Sequence, residues 1–277
     1  PNIVNPANIT DASVPHPPLS EFIYRMGGDI VGFNTNFRFI PLFFGAINLL
    51  LLYYLLKIMF DGRTAVIASF IWIFSYFSVL ASLMVDTDGQ ILPFFFLLSL
   101  IAYYKLKSST SRKTYFWTAW LIIFCILGFM VKVSFILAIG AIFADFLWDR
   151  KKDMTKKDML KYFGFSIVAG ALLSLLLLIA HFAFSFFDLS RALIYWEHFI
   201  ISHRDWFQIF IQCVKALLYS SPFLVFIPFL SSRESFPKTR VFIFFLVFAF
   251  IFYIVLFDFS IGALDRYLQL LILPLSV

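Results

Sequence analysis

Asp86 and Asp88 are the residues whose types and spacing most directly suggest chemistry in this sequence of 277 residues. They lie in the segment Asp86-Thr87-Asp88-Gly89, between two long apolar stretches. Two such carboxylates can share a divalent cation that also binds substrate phosphates, or they can divide the roles of general base and positioning group. The alternative is that Asp88 only caps the helix that follows it. The residues leave these hypotheses open, and a divalent cation is the one cofactor that they suggest.

Two cations, Lys132 and Arg266, are candidates for binding a phosphate. Lys132 occupies a very short turn between two apolar stretches, and Arg266 stands between Asp265 and Tyr267 at the start of the last stretch. A lysine at such a turn can simply extend its ammonium to the membrane surface, or it can hold a lipid-linked phosphate as a compact cation. An arginine can bind phosphate through two parallel hydrogen bonds, or it can pair with the neighbouring aspartate. We predict that Lys132 and Arg266 converge on one phosphate and that Tyr267 also contacts substrate.

The segment His16-Pro17-Pro18 precedes an amphipathic stretch, Glu21–Val31. A residue that comes before proline is restricted to extended geometry, and proline is favoured in the first turn of a helix. The two prolines therefore stiffen the entry to a helix. We predict that this helix lies on the membrane surface.

Several other polar residues have two possible roles. Glu197 and His198 lie in a long connection rich in tyrosine and tryptophan, where they either contact substrate or belong to an aromatic belt at the membrane surface. His181 and Lys215 sit inside apolar stretches, where an interhelical contact is the simpler interpretation than a proton relay. Asp145 also lies within an apolar stretch, near its end.

The elements that must position these residues are membrane helices. Hydrophobic residues make up 62% of the chain and charged residues 14%, with 40 phenylalanines, and the mean hydropathy is +0.92. A soluble domain has about 45–50% apolar and about 25% charged residues, so lipid must solvate much of this surface. Because open sheets cannot satisfy their backbone groups in lipid, the composition predicts an all-α polytopic integral membrane protein.

Nine apolar runs are candidate transmembrane helices, and they form a domain over residues 38–277. Residues 1–37 are expected to be a non-cytoplasmic loop with the surface helix. Two of the runs are short for a complete crossing, the third and the fifth. The runs are Phe39–Phe60, Thr64–Val85, Ile91–Tyr104, Tyr115–Val131, Val133–Trp148, Phe163–Phe187, Gln208–Leu230, Val241–Phe257 and Tyr267 to the end.

The loop charges orient these helices. Alternate loops collect 15 of the 22 basic residues on one side, which the positive-inside rule makes cytoplasmic. Most acidic residues, including every candidate carboxylate above, fall on the other side, so we expect a functional site on the non-cytoplasmic face. The basic loops are interpreted as topology signals and contacts to anionic lipids, and this pattern argues against nucleic-acid binding. They contain Lys57, Arg63, Lys105, Lys107, Arg112, Lys113, Arg150, Lys151, Lys152, Lys156, Lys157, Lys161, Arg233, Lys238 and Arg240.

Several of these motifs, in this order, resemble one family. His16-Pro17-Pro18-Leu19, an acidic loop running into Leu92-Pro93-Phe94-Phe95-Phe96-Leu97-Leu98, and Gly128-Phe129-Met130-Val131-Lys132 are similar to segments of the dolichyl-phosphate-mannose-protein mannosyltransferases. Arg266-Tyr267-Leu268 resembles the start of a late helix in that family. The resemblance extends to the lipid-A aminoarabinose transferases, and it implies the GT-C fold.

The resemblance implies an inverting glycosyltransferase that moves a mannose-like sugar from a polyprenyl-phosphate donor to a protein, lipid or glycan acceptor outside the cytoplasm. It assigns Lys132 and Arg266 to the donor phosphate and Asp86 and Asp88 to a functional acidic loop. It also matches His16 to Leu19 with a first-loop motif, so we expect His16, Pro17 and Pro18 to border the substrate. The family's presumed base precedes the His-Pro-Pro segment. Here only Asp11 stands there, so the base lies upstream of Pro1, or Asp11 substitutes for it, or the protein is not catalytic.

Two other classes of function compete with the transferase. A transporter or flippase would need polar residues along facing helices near the middle of the membrane, or paired broken helices. A non-catalytic membrane subunit of a larger complex would need only lipid-facing and partner-facing surfaces. The membrane itself would be a prokaryotic plasma membrane or the endoplasmic reticulum. The sequence does not identify the sugar or the acceptor.

Overall fold

The computed structural model describes residues 16–83, 85, 87–109, 112–151, 154–185, 187–201, 205–208, 210, 211, 214 and 236–256. Within these residues the regular secondary structure is helical, which confirms the all-α prediction. Asp11, Asp86, Lys215, Arg266 and Tyr267 lie outside the described residues, as do most of the predicted span Gln208–Leu230 and the whole of the last one.

Ten α-helices and three short helical segments follow one another along the described chain. The short segments are a 3-10 turn at Thr35–Arg38, a π-helix at Thr87–Ile91 and a 3-10 turn at Val133–Phe135. The α-helices are α1 (Leu19–Val31), α2 (Phe39–Met59), α3 (Gly62–Phe74), α4 (Tyr76–Leu83), α5 (Leu92–Lys107), α6 (Arg112–Val131), α7 (Ile136–Arg150), α8 (Lys156–Ala183), α9 (Leu189–Ile201) and α10 (Phe236–Leu256).

Four of the helical stretches are long and apolar enough to cross a membrane, which identifies an integral membrane protein. They cover Thr35–Met59, Gly89–Lys107, Lys113–Val131 and Lys156–Ala183. The third predicted span, which was short at Ile91–Tyr104, reaches a crossing length because the π-helix continues directly into α5. The total of nine spans stays a prediction.

Two predicted spans differ from the structure. The run Thr64–Val85 is two helices, α3 and α4, which meet at Ser75. The Ser75 hydroxyl donates to the Trp72 carbonyl at 2.8 Å and accepts from the Ser78 amide at 3.3 Å, so it ends one helix and begins the next. The run Val133–Trp148 starts as a 3-10 turn and continues as α7, a helix of 15 residues. At 1.5 Å per residue α7 is roughly 22 Å long, shorter than the membrane core.

Helix α5 lies at the centre of the packing, in contact with α2, α6 and α7, while α10 packs on α7. The ring of Phe96 on α5 contacts the rings of Phe135, Phe242 and Phe245, at centroid distances of 6.5, 6.5 and 4.8 Å. The helix directions give this packed group two ends. We call them the Lys132 end, where α6 finishes and α5 starts, and the Asp145 end, where α5 and α7 finish.

Candidate functional site

The Lys132 end brings together three segments that the sequence singled out. Helix α1, which follows the His-Pro-Pro segment, contacts the π-helix Thr87–Ile91 and also α6. Helix α6 runs directly into Lys132, and the ring of Phe22 on α1 lies 6.5 Å from the ring of Phe184 after α8. The prediction that these segments share one end of the helices is therefore consistent with the fold, although they are far apart in sequence.

Helix α1 has the amphipathic character that the sequence predicted. It starts at Leu19 with Pro18 as its N-cap residue, and both Pro17 and Pro18 are buried. His16, just before them, is partly buried. One face of the helix is buried through Ser20, Tyr24 and Gly28. The opposite face exposes large apolar side chains at a spacing of four, Phe22, Met26 and Ile30, as expected of a helix with one face in contact with lipid.

Lys132 is the extended residue that separates α6 from the next 3-10 turn, and it is only 7% exposed. Its amide donates to the Gly128 carbonyl at 3.1 Å, and its own carbonyl accepts from the Phe135 amide at 3.0 Å. The chain thus turns tightly with the lysine inside the fold rather than extended into water. A cation placed in so dry a setting interacts strongly with any anion that reaches it.

Gly128 is required for this turn because of a close approach. A Cβ at position 128 would lie 2.4 Å from the ring of Phe135, which is fully buried. A side chain of any size at this position would therefore push Phe135, and the Lys132 turn that precedes it, out of place. The glycine-to-lysine spacing that the sequence analysis identified has this packing as its physical basis.

The acidic loop continues as the π-helix Thr87–Ile91. The backbone of Asp88 lies inside it, whereas Asp86 and the side chain of Asp88 lie outside the described part of the chain. Ile91, not Asp88, is the N-cap residue of α5. The side chain of Asp88 is outside the described part of the chain, so both hypotheses for it, helix cap and catalytic group, stay predictions. Single π-turns next to α-helices are frequently found at functional sites, because they aim side chains in directions that an α-helix does not reach.

A buried polar network, which the sequence analysis missed, attaches the π-helix to α2 and α4. The Asn48 amide group donates to the Gln90 carbonyl at 2.8 Å and to its side-chain oxygen at 2.7 Å. The Gln90 amide group donates in turn to the Ser78 carbonyl at 3.2 Å and to the Ser82 hydroxyl at 2.9 Å. Gly45 makes room for this contact, since a Cβ there would lie 2.7 Å from the Ser82 hydroxyl.

One polar atom of the same network accepts no hydrogen bond from the described residues. The Asn48 side-chain oxygen is buried and has no hydrogen-bond partner among the described residues. Asn48 is a polar residue within an apolar run and Gln90 directly precedes one, and this is the sequence signal that could have identified them. The network fixes the end of the acidic loop against two helices, so the loop is held by interactions well inside the fold.

The remaining polar residues that the sequence singled out lie on α8 and α9. Glu197 is exposed on α9, and His198 lies on the same helix, with a side chain outside the described residues. The start of α9 joins the Lys132 end through a buried apolar cluster that includes Phe129, Phe187 and Ala192. His181, on α8, contacts the segment that joins α8 to α9: its Nδ1 atom lies 3.3 Å from the Phe187 carbonyl oxygen and 3.3 Å from the Leu189 amide nitrogen.

No group of three or more histidine, cysteine or acidic residues that could hold a metal occurs among the described residues. The divalent-cation hypothesis concerns Asp86 and Asp88, whose carboxylates are outside that part of the chain. It stays a prediction.

The Asp145 end contains a second polar cluster that sequence reasoning did not find. Asp145, 1% exposed, accepts hydrogen bonds from the Tyr103 hydroxyl at 2.6 Å and from Lys107 at 3.0 Å, and it pairs with Arg240 at 2.5 Å. Asp149 also pairs with Lys107, at 2.6 Å, and with Arg240. Two cations and two carboxylates therefore balance. The interpretation of Lys107 and Arg240 as loop charges was incomplete, because both join this network and Arg240 is 5% exposed.

Comparison with known proteins identifies the family. The family model described as dolichyl-phosphate-mannose-protein mannosyltransferase matches residues 15–185, more than half of the chain. The match begins beside the His-Pro-Pro segment, includes the acidic loop and the Lys132 turn, and ends after α8. No curated protein and no solved structure matches the chain.

Proposed function

This chain belongs to the dolichyl-phosphate-mannose-protein mannosyltransferase family, and from this premise we propose that it transfers a mannose-like sugar from a polyprenyl-phosphate donor to an acceptor hydroxyl. Membership makes it a membrane glycosyltransferase. We propose the identity of the donor, the direction of transfer and the role of each residue on the physical grounds that follow. The acceptor is a protein, lipid or glycan.

The proposed reaction is a single displacement at the anomeric carbon. The acceptor oxygen gives up its proton and forms a bond to that carbon, while the bond from the carbon to the phosphate oxygen breaks and polyprenyl phosphate leaves. This step inverts the anomeric configuration. Because phosphate is already a good leaving group, the protein has to supply positioning and charge stabilisation more than acid assistance.

Lys132 is the proposed partner of the donor phosphate, and Arg266 is proposed to join it there. The observation that supports this role is the burial of Lys132 at the end of the helices where α1 and the π-helix meet. A phosphate at headgroup depth needs cationic partners, and a desolvated ammonium binds it more strongly than an ammonium in water. Tyr267, His16 and Pro17 to Pro18 are proposed to line the same site, with Glu197 and His198 toward the acceptor.

The acidic loop is proposed to act on the acceptor. Asp86, Asp88 or Asp11 takes the hydroxyl proton, either directly or with a divalent cation held between the first two. The position of Asp88 in a π-turn supports a functional role, because such turns are frequent at functional sites. The Asn48–Gln90 contacts support a loop that is fixed before substrate arrives, which lowers the cost of orientation.

We propose that the Lys132 end faces the non-cytoplasmic side of a plasma or endoplasmic reticulum membrane. The basic loops at the Asp145 end support this orientation. The arrangement proposed for the whole chain is a GT-C-like domain of nine spans over residues 38–277, with residues 1–37 as the preceding loop and surface helix. The family match supports the GT-C assignment. The four helices that are long and apolar enough to cross a membrane support a polytopic domain.

Donor binding by purified full-length variants tests the central assignment. Lys132→Met keeps the aliphatic stem and removes the charge, and it should weaken binding of a polyprenyl-phosphate-mannose probe by about tenfold to a hundredfold, the equivalent of losing a charged hydrogen bond. Lys57→Met is the matched control, because Lys57 is exposed near the end of α2 at the opposite end of the helices. Wild-type affinity in Lys132→Met would remove Lys132 from the phosphate site.

A further inference from the structure

A pocket lies between the end of α7 and the start of α8, at the Asp145 end and away from the proposed transfer site. It has a volume of about 250 Å³ and is lined by Arg150, Met154, Asp158 and Tyr162. The proposed reaction does not use it. Its walls combine a guanidinium, a phenol and an apolar side chain, which is a combination suited to an anionic group attached to an apolar body.

Arg150 is held in position on the wall of this pocket. Its guanidinium lies 4.8 Å from the centre of the Phe146 ring, and its Nη1 atom donates to the Tyr162 hydroxyl at 3.4 Å. Tyr162 is itself packed against α7, 5.6 Å from the Phe146 ring. A guanidinium has five N–H donors, and in the described part of the chain Arg150 uses one of them. An oxyanion in the pocket would accept hydrogen bonds from the remaining N–H groups.

The charge around the pocket is positive. Residues 149–161 contain six basic and three acidic side chains, a net charge of +3. The acidic wall residue Asp158 directs its Oδ2 atom to Thr155, accepting from the Thr155 amide at 3.0 Å and from the Thr155 hydroxyl at 2.7 Å. Its negative charge is included in the net charge of +3. Of the other two acidic residues, Asp149 pairs with Lys107 and Arg240, and Asp153 lies outside the described residues.

The surface beside the pocket is apolar and exposed. Leu160 is 71% and Phe163 64% exposed on the first turns of α8, the helix that forms one wall. Trp148, an aromatic residue typical of the membrane–water interface, is exposed at the end of α7. A soluble phosphate would not use these side chains, whereas the acyl chains of a lipid would cover them.

We propose that this pocket is a binding site for an anionic membrane lipid, with the lipid phosphate on Arg150 and its acyl chains along α8. Basic pockets between membrane helices on the cytoplasmic side bind the headgroups of anionic lipids. The proposal does not depend on sugar transfer. It assigns Arg150 a specific ligand in place of the general lipid contact that the loop charges suggested.

The test uses the purified full chain in a zwitterionic detergent and follows its thermal unfolding midpoint. Dioctanoyl-phosphatidylglycerol is the anionic probe, dioctanoyl-phosphatidylcholine the zwitterionic one, and inorganic phosphate the soluble one. A ligand that binds only the folded protein raises the midpoint with its concentration, which yields an apparent Kd. Phosphatidylglycerol should stabilise the protein, and the other two probes should not.

Three variants locate the effect. Arg150→Gln should raise the apparent Kd for phosphatidylglycerol about tenfold or more, since it removes a charged hydrogen-bond donor. Tyr162→Phe keeps the packing and removes the hydroxyl that holds Arg150, so it should raise the Kd by about two- to threefold. Arg63→Gln makes the same change of charge at an exposed position at the same end, and it should leave the Kd unchanged.

Each contrary result overturns the proposal in a different way. An equal loss in Arg63→Gln would mean diffuse attraction to the whole basic surface. Equal stabilisation by phosphatidylcholine would mean that the headgroup charge is not recognised. Equal stabilisation by inorganic phosphate would mean that the pocket takes a soluble phosphate. Wild-type affinity in both Arg150→Gln and Tyr162→Phe would place the lipid elsewhere on the protein.

Discussion

Replacing Asp145 by asparagine should destabilise the protein by about 3 kcal/mol, the lower end of the range for removing one partner of a buried ion pair. Asparagine has nearly the same shape, so the change removes charge and little else. Asp145 accepts hydrogen bonds from three side chains, Tyr103, Lys107 and Arg240, and is 1% exposed. Without its charge the network carries an excess positive charge, which falls mainly on the buried Arg240.

The lower end of the range is expected because the loss is partly offset. Lys107 is about one-third exposed, so it can turn toward water, and Asp149 still pairs with both cations. The amide oxygen of asparagine can also still accept one hydrogen bond. Against a total stability of about 5–15 kcal/mol, a loss of this size is large and easily measured.

The assay is the free energy of unfolding, measured by titrating a denaturing detergent into the protein in mild detergent micelles. Asp61→Asn is the matched control, because Asp61 is exposed and caps α3 at the same end of the helices, and asparagine caps about as well as aspartate. Arg240→Gln and the double variant complete a cycle in which the double variant should cost less than the sum of the single ones. If Asp145→Asn behaved like Asp61→Asn, the account of a buried, charge-balanced network would be refuted.

Three further predictions concern the Lys132 end. Gly128→Ala should lower the thermal unfolding midpoint and also weaken donor binding, because the new methyl group would clash with the Phe135 ring. The control Gly164→Ala should change neither quantity, because its methyl group would enter open space. Gln90→Leu should reduce sugar transfer strongly and stability only slightly, since the acidic loop loses contacts to two helices, while interhelical hydrogen bonds in membranes average only about 0.6 kcal/mol. If the free energy of unfolding fell by as much as the activation free energy of transfer rose, the positioning role would be contradicted. Asp88→Asn should cut turnover by a factor of about ten to a thousand at matched folding, because it removes the charge of a carboxylate proposed to act in acid–base catalysis. Wild-type turnover would show that Asp88 has no such role.

One more prediction tests the orientation. A single cysteine at position 87 should react with a membrane-impermeant thiol reagent in intact cells or sealed right-side-out vesicles. A single cysteine at position 156 should react only after the membrane is permeabilised, because the positive-inside rule places the basic loops on the cytoplasmic side. The opposite pattern would reverse the orientation and, with it, the face of the proposed site.

The features predicted from sequence were those that depend on local pattern. The prolines before Leu19 and the amphipathic spacing after them predicted α1, because both signals act within a few residues. Composition alone predicted helices that cross a membrane, since lipid leaves few alternatives. The glycine-to-lysine spacing located the turn after α6, although its cause, the Phe135 ring against Gly128, became visible only in three dimensions.

The features that escaped prediction depend on residues far apart in the chain. Asn48 and Gln90 are 42 positions apart, and Asp145 and Arg240 are 95 positions apart. Arg240 was predicted to be one of the basic loop charges, because its partner Asp145 lies on another helix and is not visible from local sequence. The break between α3 and α4 was missed for a different reason: the Ser75 hydroxyl competes for backbone groups in a stretch that is mostly apolar and contains several serines.

The charge network at the Asp145 end also constrains the order in which the helices assemble during synthesis. Helix α7 is short and carries a carboxylate, so it is a poor candidate for stable insertion by itself. When it leaves the ribosome, Lys107 has already been made, but Arg240 is 95 residues away. At about 5–20 residues per second, Arg240 follows roughly 5–20 s later. We therefore expect α7 to wait at the translocon or beside α5 until α10 arrives, so that a truncated chain lacking α10 would leave α7 incompletely inserted.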